Sequence, residues 1–312
     1  MNYNKLVSVV MPVHNGEKYL REAIESVLNQ TYKNFEFLII ENCSTDSSVE
    51  IINSFNDHRL RLINEHKCGV PHAYNRGFKE AKGEFIIVHD QDDISFPNRI
   101  ESQINYLLKK QLDICGSGFV VINDKNEEIK RISPPTKNEE INEKIFFDFF
   151  AIFNPTLIIK KSVLEELGYF NTDLETGADY DFLLRSINKY LLGNNPDILL
   201  KYRYHNESTS KQNKNLWKNE FNLSVKYFNR YQPELKDAKY VLSRIYYYYG
   251  FYTKSTFYNL LSIFEKGLSL IKLKYLLYTT VFALPIYLLR KTDMFFNKRF
   301  VSFTKILSNP NK

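Results

Sequence analysis

Short apolar runs alternate with amphipathic stretches along the first 120 residues of the chain. The apolar runs are rich in Val, Ile and Phe without strict alternation, which is typical of strands buried on both faces of a sheet. Helical spacing of apolar residues separates these runs. This alternation predicts an α/β fold whose central sheet is mostly parallel and Rossmann-like, with helices on both faces. We predict strands at 6–13, 35–40, 60–63, 85–88 and 114–121, and helices near 18–29, 46–55, 72–82 and 97–110.

The pattern changes after residue 122. It weakens through Ser133-Pro134-Pro135, and beyond about residue 212 the apolar spacing is helical throughout. We therefore predict a main domain over 1–212, divided into parts 1–122 and 123–212, and a C-terminal helical appendage over 213–312. Within the second part we predict strands at 157–160 and 198–204 and helices at 161–167 and 180–192.

Charge is divided unevenly along the chain. Of 312 residues, 44% are hydrophobic and 25% are charged, which excludes a disordered protein. The net charge of +6 combines −8 over residues 1–200, with 22 Lys and Arg against 30 Asp and Glu, and +14 over residues 201–312, with 20 against 6. This asymmetry predicts an acidic working domain followed by a basic segment that meets an anionic partner.

The cysteines are few and far apart. Cys43, Cys68 and Cys115 are odd in number and unclustered, so we expect neither a disulfide framework nor a zinc site. The apolar run near the N-terminus is too short and too soon interrupted for a signal peptide. We therefore expect a reduced, cytosolic setting.

An acidic turn follows the strand at 85–88. Asp90, Asp92 and Asp93 are three carboxylates within four residues, and they would repel one another unless a cation or hydrogen-bond donors neutralise them. Carboxylate oxygens are ligands that Mg²⁺ and Mn²⁺ prefer, and these ions link proteins to phosphates. The alternative is a solvated acidic turn that caps the next helix.

Two further strand ends lead into polar turns, 12–17 and 41–46. Their side chains are suited to nucleoside recognition, although ordinary helix caps would look the same. The sequence lacks both GxGxxG and GxxxxGK[ST], so a glycine-rich phosphate loop is excluded. A nucleotide bound here would need a metal at Asp92 to neutralise its phosphates.

Four segments between residues 6 and 210 resemble family 2 glycosyltransferases of the GT-A fold. They are VSVVMPVHNGEKYLREAIESVLNQTYKNFEFLIIENCSTDSS, AYNRGFKEAKGEFIIVHDQDD, GYFNTDLETGADYDFLLR and YRYHNESTS. The resemblance implies transfer of a sugar, with inversion, from a nucleotide donor that is usually UDP-linked. It implies a divalent cation, Mn²⁺ or Mg²⁺, a nucleotide-binding part at 1–122 and an acceptor part at 123–212.

The resemblance also implies roles for individual residues. Asp179 takes the position of the catalytic base, Asp92 is a metal ligand, and His205 is a further candidate ligand. The residues expected to contact the nucleotide sugar are Pro12, Asn15, Glu17, Asn42, Asn75, Asp90 and Arg203. Asn154 and Thr156, at the start of a predicted strand, are candidates for the acceptor pocket, and a simple turn is the alternative.

Some positions depart from the family pattern. Asn42 stands where an Asp usually binds uracil, but its side-chain carbonyl can still accept a uracil N–H. Tyr74 replaces a common Arg, which removes one expected contact to the nucleotide, and Ala178 replaces a common Glu. We expect Asp181 to be a structural carboxylate in the first turn of a helix, stabilised by the helix dipole.

The basic tail contains an uncharged stretch of 15 residues at 275–289, interrupted by Pro285. As a helix it would span about 22 Å, less than the hydrocarbon core of a bilayer, about 30 Å thick. Basic and aromatic residues around it favour an interfacial helix on an anionic membrane. A helix packed on the catalytic domain or on a second subunit is the alternative. We expect no nucleic-acid partner, since no recognised binding motif appears.

Together these observations predict a peripheral enzyme on the cytoplasmic face of the bacterial inner membrane. Bacterial members of the family with similar size and motifs assemble O-antigen or capsule repeat units on undecaprenyl diphosphate. The resemblance favours glucose as the transferred sugar, with galactose next. The alternatives are a different acceptor, protein or soluble glycan, and a non-catalytic protein that binds sugar nucleotides.

Overall fold

The computed structural model describes residues 4–148, 150–208, 216–231, 241 and 245. The chain divides into two compact units. The first comprises Met1–Ile141 and Phe150–Lys211, and the second comprises Asn142–Phe149 and Gln212–Lys312. Each unit is described by itself below.

The first part of the first unit alternates strands and helices, as the hydrophobic pattern predicts. All five strands and all four helices predicted before residue 122 are confirmed. The elements are β1 (Val7–Val13), α1 (Leu20–Leu28), β2 (Phe35–Glu41), α2 (Ser48–Asn53), β3 (Leu60–Asn64), α3 (Val70–Glu80), β4 (Phe85–Val88), β5 (Ile94–Ser95), α4 (Arg99–Lys110) and β6 (Ile114–Ile122).

The later part is less regular. Its elements are β7 (Glu128–Ile132), α5 (Asn138–Lys144), a 3₁₀ turn at Asn154–Thr156, β8 (Ile158–Lys160), α6 (Lys161–Leu167), α7 (Ala178–Ser186) and β9 (Leu192–Arg203). The sequence pattern did not predict β5, β7 or α5. The helix expected at 180–192 ends at Ser186, because 192–203 pairs with β6 as a strand that begins before the expected residue 198.

Nine strands of the described residues form one mixed sheet, in the order β3-β2-β1-β4-β8-β6-β9-β5, with β7 paired to β6. The pairs β1–β2, β1–β4, β2–β3 and β6–β9 are parallel. The pairs β4–β8, β6–β8, β6–β7 and β5–β9 are antiparallel. The α/β class is confirmed, and the parallel character is concentrated in β1 to β4.

The main apolar cluster lies between the first strands and the helices beside them. Strand residues such as Val9, Phe37 and Ile87 are buried, and they pack with Ile24 of α1 and Ile104 of α4. Burial of both strand faces removes a large apolar area from water, the dominant stabilising term in folding. This packing fixes the strand ends that carry the polar turns.

A disulfide joins Cys43, after β2, to Cys68, before α3. The expectation that the cysteines would form no disulfide is therefore wrong. The two residues are 25 positions apart in sequence, with α2 and β3 between them, but their Cα atoms are 5.9 Å apart because parallel strands end at one edge of the sheet. Cys115 is free and buried in β6, where burial raises its pKa to about 12.

The second unit contains α8 (Leu216–Tyr231), which agrees with the expected helical character of the appendage. Within this unit the rings of Phe146 and Phe228 meet edge to face at 6.0 Å. None of the helices within the described residues is long and apolar enough to cross a membrane. The uncharged stretch at 275–289 lies outside the described residues.

Candidate active site

The carboxyl ends of β1, β2 and β4 meet at one edge of the sheet. Val13 pairs with Glu41 at the ends of β1 and β2, and Val10 pairs with Val88 at the end of β4. Polar turns follow each strand, at 14–17, 42–48 and 89–93. Ligands of open α/β sheets bind at this edge, so these turns form the candidate site.

The two candidate metal ligands lie side by side. The Nε2 atom of His205 is 2.7 Å from the Oδ2 atom of Asp92. His205 is buried against the ring of Tyr19, at a centroid distance of 4.9 Å, while Asp92 is half-buried. A neutral imidazole and a carboxylate are both ligands for a divalent transition-metal ion. The structure therefore brings together residues that the sequence separates by more than a hundred positions.

Asp90 lies in the same turn and is held by a buried phenol. The hydroxyl of Tyr74 donates a hydrogen bond to Asp90 Oδ1. Burial, together with the charge of Asp92 and a smaller contribution from Asp179, raises the pKa of Asp90 to about 7. Burial, followed by the charges of Asp90, Asp93 and Asp179, raises the pKa of Tyr74 well above its ordinary value. Crowded carboxylates of this kind suit a site that receives a cation.

Two neighbours of Asp90 are fully buried. Asp93 accepts a hydrogen bond from the backbone N–H of Arg203, and burial next to Asp92 raises its pKa well above the usual range. His89 donates from Nδ1 to the carbonyl of Asp90, and burial followed by the charge of Arg99 lowers its pKa to about 3. His89 is therefore a neutral residue that shapes the turn.

Asp179 begins α7 and is half-buried. Its charge contributes to the raised pKa values of both Tyr74 and Asp90, so it lies within electrostatic reach of the acidic turn. Asp181, two residues later, is buried and forms an ion pair with Arg185 at 2.8 Å. This arrangement agrees with the structural role expected for Asp181.

Arg203 lies beside the acidic turn, but its guanidinium is engaged within the protein. It is buried, donates to the carbonyl of Asp92 at 2.9 Å, and pairs with Glu22 of α1 at 2.7 Å. It also donates to Asn126 Oδ1, and it lies over the ring of Tyr19. These contacts hold the turn at 90–93, and the contact of Arg203 with the nucleotide diphosphate stays a prediction.

Asn42 also bonds to the protein. Its side chain is buried, donates to the carbonyls of Glu65 and Lys67, and accepts from the N–H of Gly69. The backbone carbonyl of Asn42 accepts a hydrogen bond from His14 Nδ1 at 2.7 Å. The side chain of Asn42 thus connects the turn after β2 to residues 65–69, and its contact with the base stays a prediction.

Asn15 and Glu17 connect the turn after β1 to the start of α2. Asn15 Oδ1 accepts from the N–H of Thr45 at 2.8 Å, and Glu17 Oε2 accepts from the N–H of Ser47 at 3.1 Å. Both residues are exposed at this edge, and Pro12 is half-buried in β1. All three therefore lie at the strand ends, and their contact with a nucleoside stays a prediction.

Asn75 is buried in α3 and joins the two parts of the first unit. Its side-chain amide donates to the carbonyl of Phe170 and accepts from the N–H of Phe170, at 2.8 and 2.9 Å. Its polar atoms thus hold the segment that leads to Asp179 rather than facing the sheet edge. Its expected contact with the nucleotide sugar is not visible in this geometry.

The candidate acceptor residues form the 3₁₀ turn before β8. Thr156 is fully buried, donating to the carbonyl of Phe153 and accepting from the N–H of Ser117. Asn154 is buried too, and its Oδ1 has no hydrogen-bond partner among the residues that the structure describes. Thr156 is therefore structural in this arrangement, while Asn154 keeps an acceptor atom available.

Sequence reasoning missed two residues that order this edge. Arg99 is fully buried and donates to the carbonyls of Val88 and Pro155, so it connects the acidic turn to the 3₁₀ turn. Burial lowers the pKa of Arg99 to about 10. Gln91, between the two aspartates, pairs with the backbone of His14. An Arg and a Gln at these positions look like surface residues in a sequence, so no signal identified them.

The donor set fits a divalent cation that is completed by a phosphate ligand. The described residues hold no group of three or more His, Cys, Asp or Glu side chains arranged as a metal site. Mg²⁺ and similar ions are commonly bound by one or two carboxylates together with substrate phosphates. Asp92 and His205 would supply the protein ligands of such an ion.

Comparison with known proteins identifies the family. Residues 8–168 match Glycosyl transferase family 2. The chain is 36% identical over 219 residues to the O-antigen biosynthesis glycosyltransferase WbnJ of Escherichia coli, covering 66% of this chain and 82% of WbnJ. It is 32% identical over 217 residues to an uncharacterised glycosyltransferase of Rickettsia felis, covering 67% of this chain but only 36% of that protein.

Solved structures share the fold. TarS of S. aureus, residues 1–349, in complex with UDP-GlcNAc, superposes with a TM-score of 0.65 at 17% identity, covering 88% of this chain and 79% of that one. The mannosyltransferase PcManGT of Pyrobaculum calidifontis, in complex with GDP-Man and Mn²⁺, gives a TM-score of 0.59 at 16% identity, covering 98% and 86%. The strand-end site, the matched segment and these relatives lead to one conclusion: the chain belongs to glycosyltransferase family 2 and has the GT-A fold.

Proposed function

We propose that this protein transfers a hexose, with inversion, from a UDP-sugar to a hydroxyl of a lipid-linked sugar, in a metal-dependent reaction. The observation that carries the proposal is the 2.7 Å approach of His205 to Asp92, with Asp90 beside them and the charge of Asp179 within electrostatic reach. TarS in complex with UDP-GlcNAc supports a nucleotide-sugar donor, and the O-antigen role named for WbnJ supports a polysaccharide acceptor.

Asp179 acts as the general base. Its carboxylate takes the proton from the acceptor hydroxyl as that oxygen attacks the anomeric carbon of the donor. The bond between the anomeric carbon and the phosphate oxygen breaks, and UDP leaves with the electron pair. Because this is one displacement from the face opposite the leaving group, the configuration at the anomeric carbon inverts. The leaving diphosphate needs no proton, so one carboxylate is sufficient.

Negative charge develops on the diphosphate as it leaves the sugar. Asp92 and His205 would hold Mn²⁺ or Mg²⁺, which would supply Lewis-acid neutralisation of the diphosphate. Arg203 holds the backbone of Asp92, and Tyr74 holds Asp90, so the chain fixes the turn without help from the substrate. Fixed electrostatic groups of this kind cost no reorganisation during the reaction.

A lipid-linked acceptor would place the enzyme at a membrane surface. The excess of 14 positive charges over residues 201–312 supports attraction to anionic headgroups on the cytoplasmic face. The full-length protein should sediment with vesicles that contain phosphatidylglycerol and not with phosphatidylcholine vesicles, and high salt should release it. Equal binding to both vesicle types would contradict membrane attachment by charge.

The enzymatic proposal is tested with a donor screen. The purified protein is given radiolabelled UDP-Glc, UDP-Gal, UDP-GlcNAc or GDP-Man and an undecaprenyl-diphosphate-linked sugar. We expect transfer from UDP-Glc or UDP-Gal, loss of transfer with EDTA, recovery with Mn²⁺, and a β-linkage from an α-linked donor by NMR. Chelator-insensitive transfer would reject the metal role, and a retained configuration would reject the single displacement.

A further inference from the structure

Gln91, between Asp90 and Asp92, forms a two-point pair with a backbone peptide. The N–H of His14 donates to Gln91 Oε1 at 2.8 Å, and Gln91 Nε2 donates to the carbonyl of His14 at 3.0 Å. A side-chain amide has the same donor and acceptor as a peptide group, so this pair resembles one rung of a sheet between two turns.

This pair connects the two ends of the candidate site. On the far side of His14, Nδ1 donates to the carbonyl of Asn42, whose side chain holds residues 65–69. On the near side, Gln91 is covalently next to Asp92. In the part of the chain that the structure describes, both hydrogen bonds that join residues 90–93 to residues 14–17 involve the Gln91 amide.

The turn at 90–93 has separate support from the other direction. The guanidinium of Arg203 donates a hydrogen bond to the backbone carbonyl of Asp92, and the backbone N–H of Arg203 donates to the side chain of Asp93. The hydroxyl of Tyr74 donates to the side chain of Asp90. Loss of the Gln91 amide would therefore leave the turn folded and attached to β9. What it would remove is the fixed spacing between the turn at 90–93 and the turn at 14–17.

From this arrangement we infer that Gln91 is a positioning residue that couples metal binding at Asp92 to nucleoside binding at the turns after β1 and β2. A nucleoside diphosphate and its cation would span these turns, so a fixed spacing strengthens the effect of each on the binding of the other. The inference rests on the proposed function and adds a specific source for the cooperativity between metal and nucleotide, which is reciprocal by thermodynamic linkage.

A substitution at Gly16 provides an independent test of this inference. A Cβ atom at Gly16 would lie 2.6 Å from Gln91 Oε1 and 2.9 Å from Cδ, so an alanine there must displace the Gln91 amide. The backbone of Gly16 is outside the left-handed region, so alanine itself is tolerated. Gly16→Ala should therefore reproduce the effect of Gln91→Ala without any change at residue 91.

The test measures UDP binding to the full chain by calorimetry, with and without Mn²⁺. We expect Gln91→Ala to change the affinity for UDP alone by less than about twofold. The factor by which Mn²⁺ increases UDP affinity should fall about tenfold, which corresponds to about 1.4 kcal/mol of coupling free energy. Gly16→Ala should give a similar reduction. The double variant should lose no more of the Mn²⁺ enhancement than either single variant, because both substitutions remove the same pair of hydrogen bonds between Gln91 and His14. The melting temperature should stay within a few degrees.

Asn98→Ala is the matched control. Asn98 is an exposed amide near the same turn, at the start of α4, and its side chain makes no capping hydrogen bond, so the Mn²⁺ enhancement should be unchanged. Full enhancement in Gln91→Ala, or additive losses in the double variant, would overturn the inference while leaving the proposed function intact. If the unaltered protein binds UDP equally with and without Mn²⁺, the metal-dependent reaction itself fails and the inference fails with it.

Discussion

Two regions of the first unit are held together by different forces. The donor-side loops, defined as residues 14–17, 42–48 and 89–93, are joined mainly by side-chain hydrogen bonds to backbone groups. The transfer-side segment, residues 168–181, has two hydrogen bonds between Asn75 and the backbone of Phe170, and in addition it is held by ring packing. The ring of Phe170 meets those of Tyr74, Phe78 and Phe182 at centroid distances of 5.2 to 5.5 Å.

The difference separates two requirements of one reaction. Hydrogen bonds fix the direction and spacing of polar groups, which is what a charged nucleotide requires. Ring packing fixes the position of a segment but is less directional than hydrogen bonding. We therefore expect substitutions on the donor side to change binding and substitutions on the transfer side to change catalysis or stability.

The largest expected effect is at the candidate base. Asp179→Asn should lower kcat by about 100-fold to 10,000-fold, because the acceptor hydroxyl loses its proton acceptor. UDP affinity measured by calorimetry should change less than about twofold. Asp173→Asn removes the same charge from an exposed position of the same segment and should keep full activity. A parallel loss of UDP binding in Asp179→Asn would break the separation of the two regions.

The ring cluster should dominate the stability of the transfer side. Phe170 is buried, so Phe170→Ala should lower the free energy of unfolding by about 3 to 5 kcal/mol. Urea unfolding of the full chain measures this change, with Phe170→Leu as a smaller perturbation of the same site. A loss below about 1 kcal/mol would mean that the segment is not held by ring packing.

We expect the disulfide to make the largest single covalent contribution to the stability of the donor-side loops. It closes a loop of 25 residues, and the chain-entropy model gives such a bond about 3 kcal/mol of stability. Dithiothreitol should lower the urea midpoint of the unaltered protein and leave that of a Cys43→Ser, Cys68→Ser double variant unchanged. Equal midpoints for the oxidised and reduced protein would show that the hydrogen bonds of Asn42 alone hold these turns.

The smallest effect is expected at the opposite edge of the sheet, before β3, which provides a reference outside both regions. Asp57 pairs with Arg59 at 2.6 Å, and hydrogen bonding to Arg59 lowers the pKa of Asp57 to about 2. Because the pKa of Asp57 is lower in the folded protein, its ionisation stabilises the fold at pH values above the pKa of Asp in the unfolded chain, near 4. This stabilisation disappears as the pH falls to about 2.

Asp57→Asn should therefore cost about 2 kcal/mol at neutral pH, and the difference from the unaltered protein should vanish near pH 2. Urea unfolding at a series of pH values measures this. A difference that persists unchanged to pH 2 would show that the ion pair is not its source.

The sequence predicted the first half of the fold well because each of its strands can be identified from neighbouring residues alone. Strands such as Phe35–Glu41 are buried on both faces and read as continuous apolar runs. The later strands depend on partners: the polar run of β7 becomes a strand only by pairing with β6. Likewise Leu192 reads as the end of a helix until its pairing with Ile114 is known.

The structure brings together some of the predicted site residues, and the roles of those residues stay predictions. Asp92 and His205 came from a resemblance, and the structure brings them together. Side-chain orientation was not accessible, since Asn75 and Arg203 bond to the protein itself. The partner of Cys43 was missed because crossover connections bring distant residues to one sheet edge.

The turn between β6 and β7 has a practical consequence. It is an exposed hairpin tip of polar residues, the kind of place usually chosen for an affinity tag or a fluorescent label. Here Asn126 bonds to both Arg203 and Glu22, and Asp124 accepts from the hydroxyl of Tyr19. An insertion at this tip would disturb one hydrogen bond of the guanidinium that holds the backbone of Asp92. Labels for this enzyme belong elsewhere on its surface.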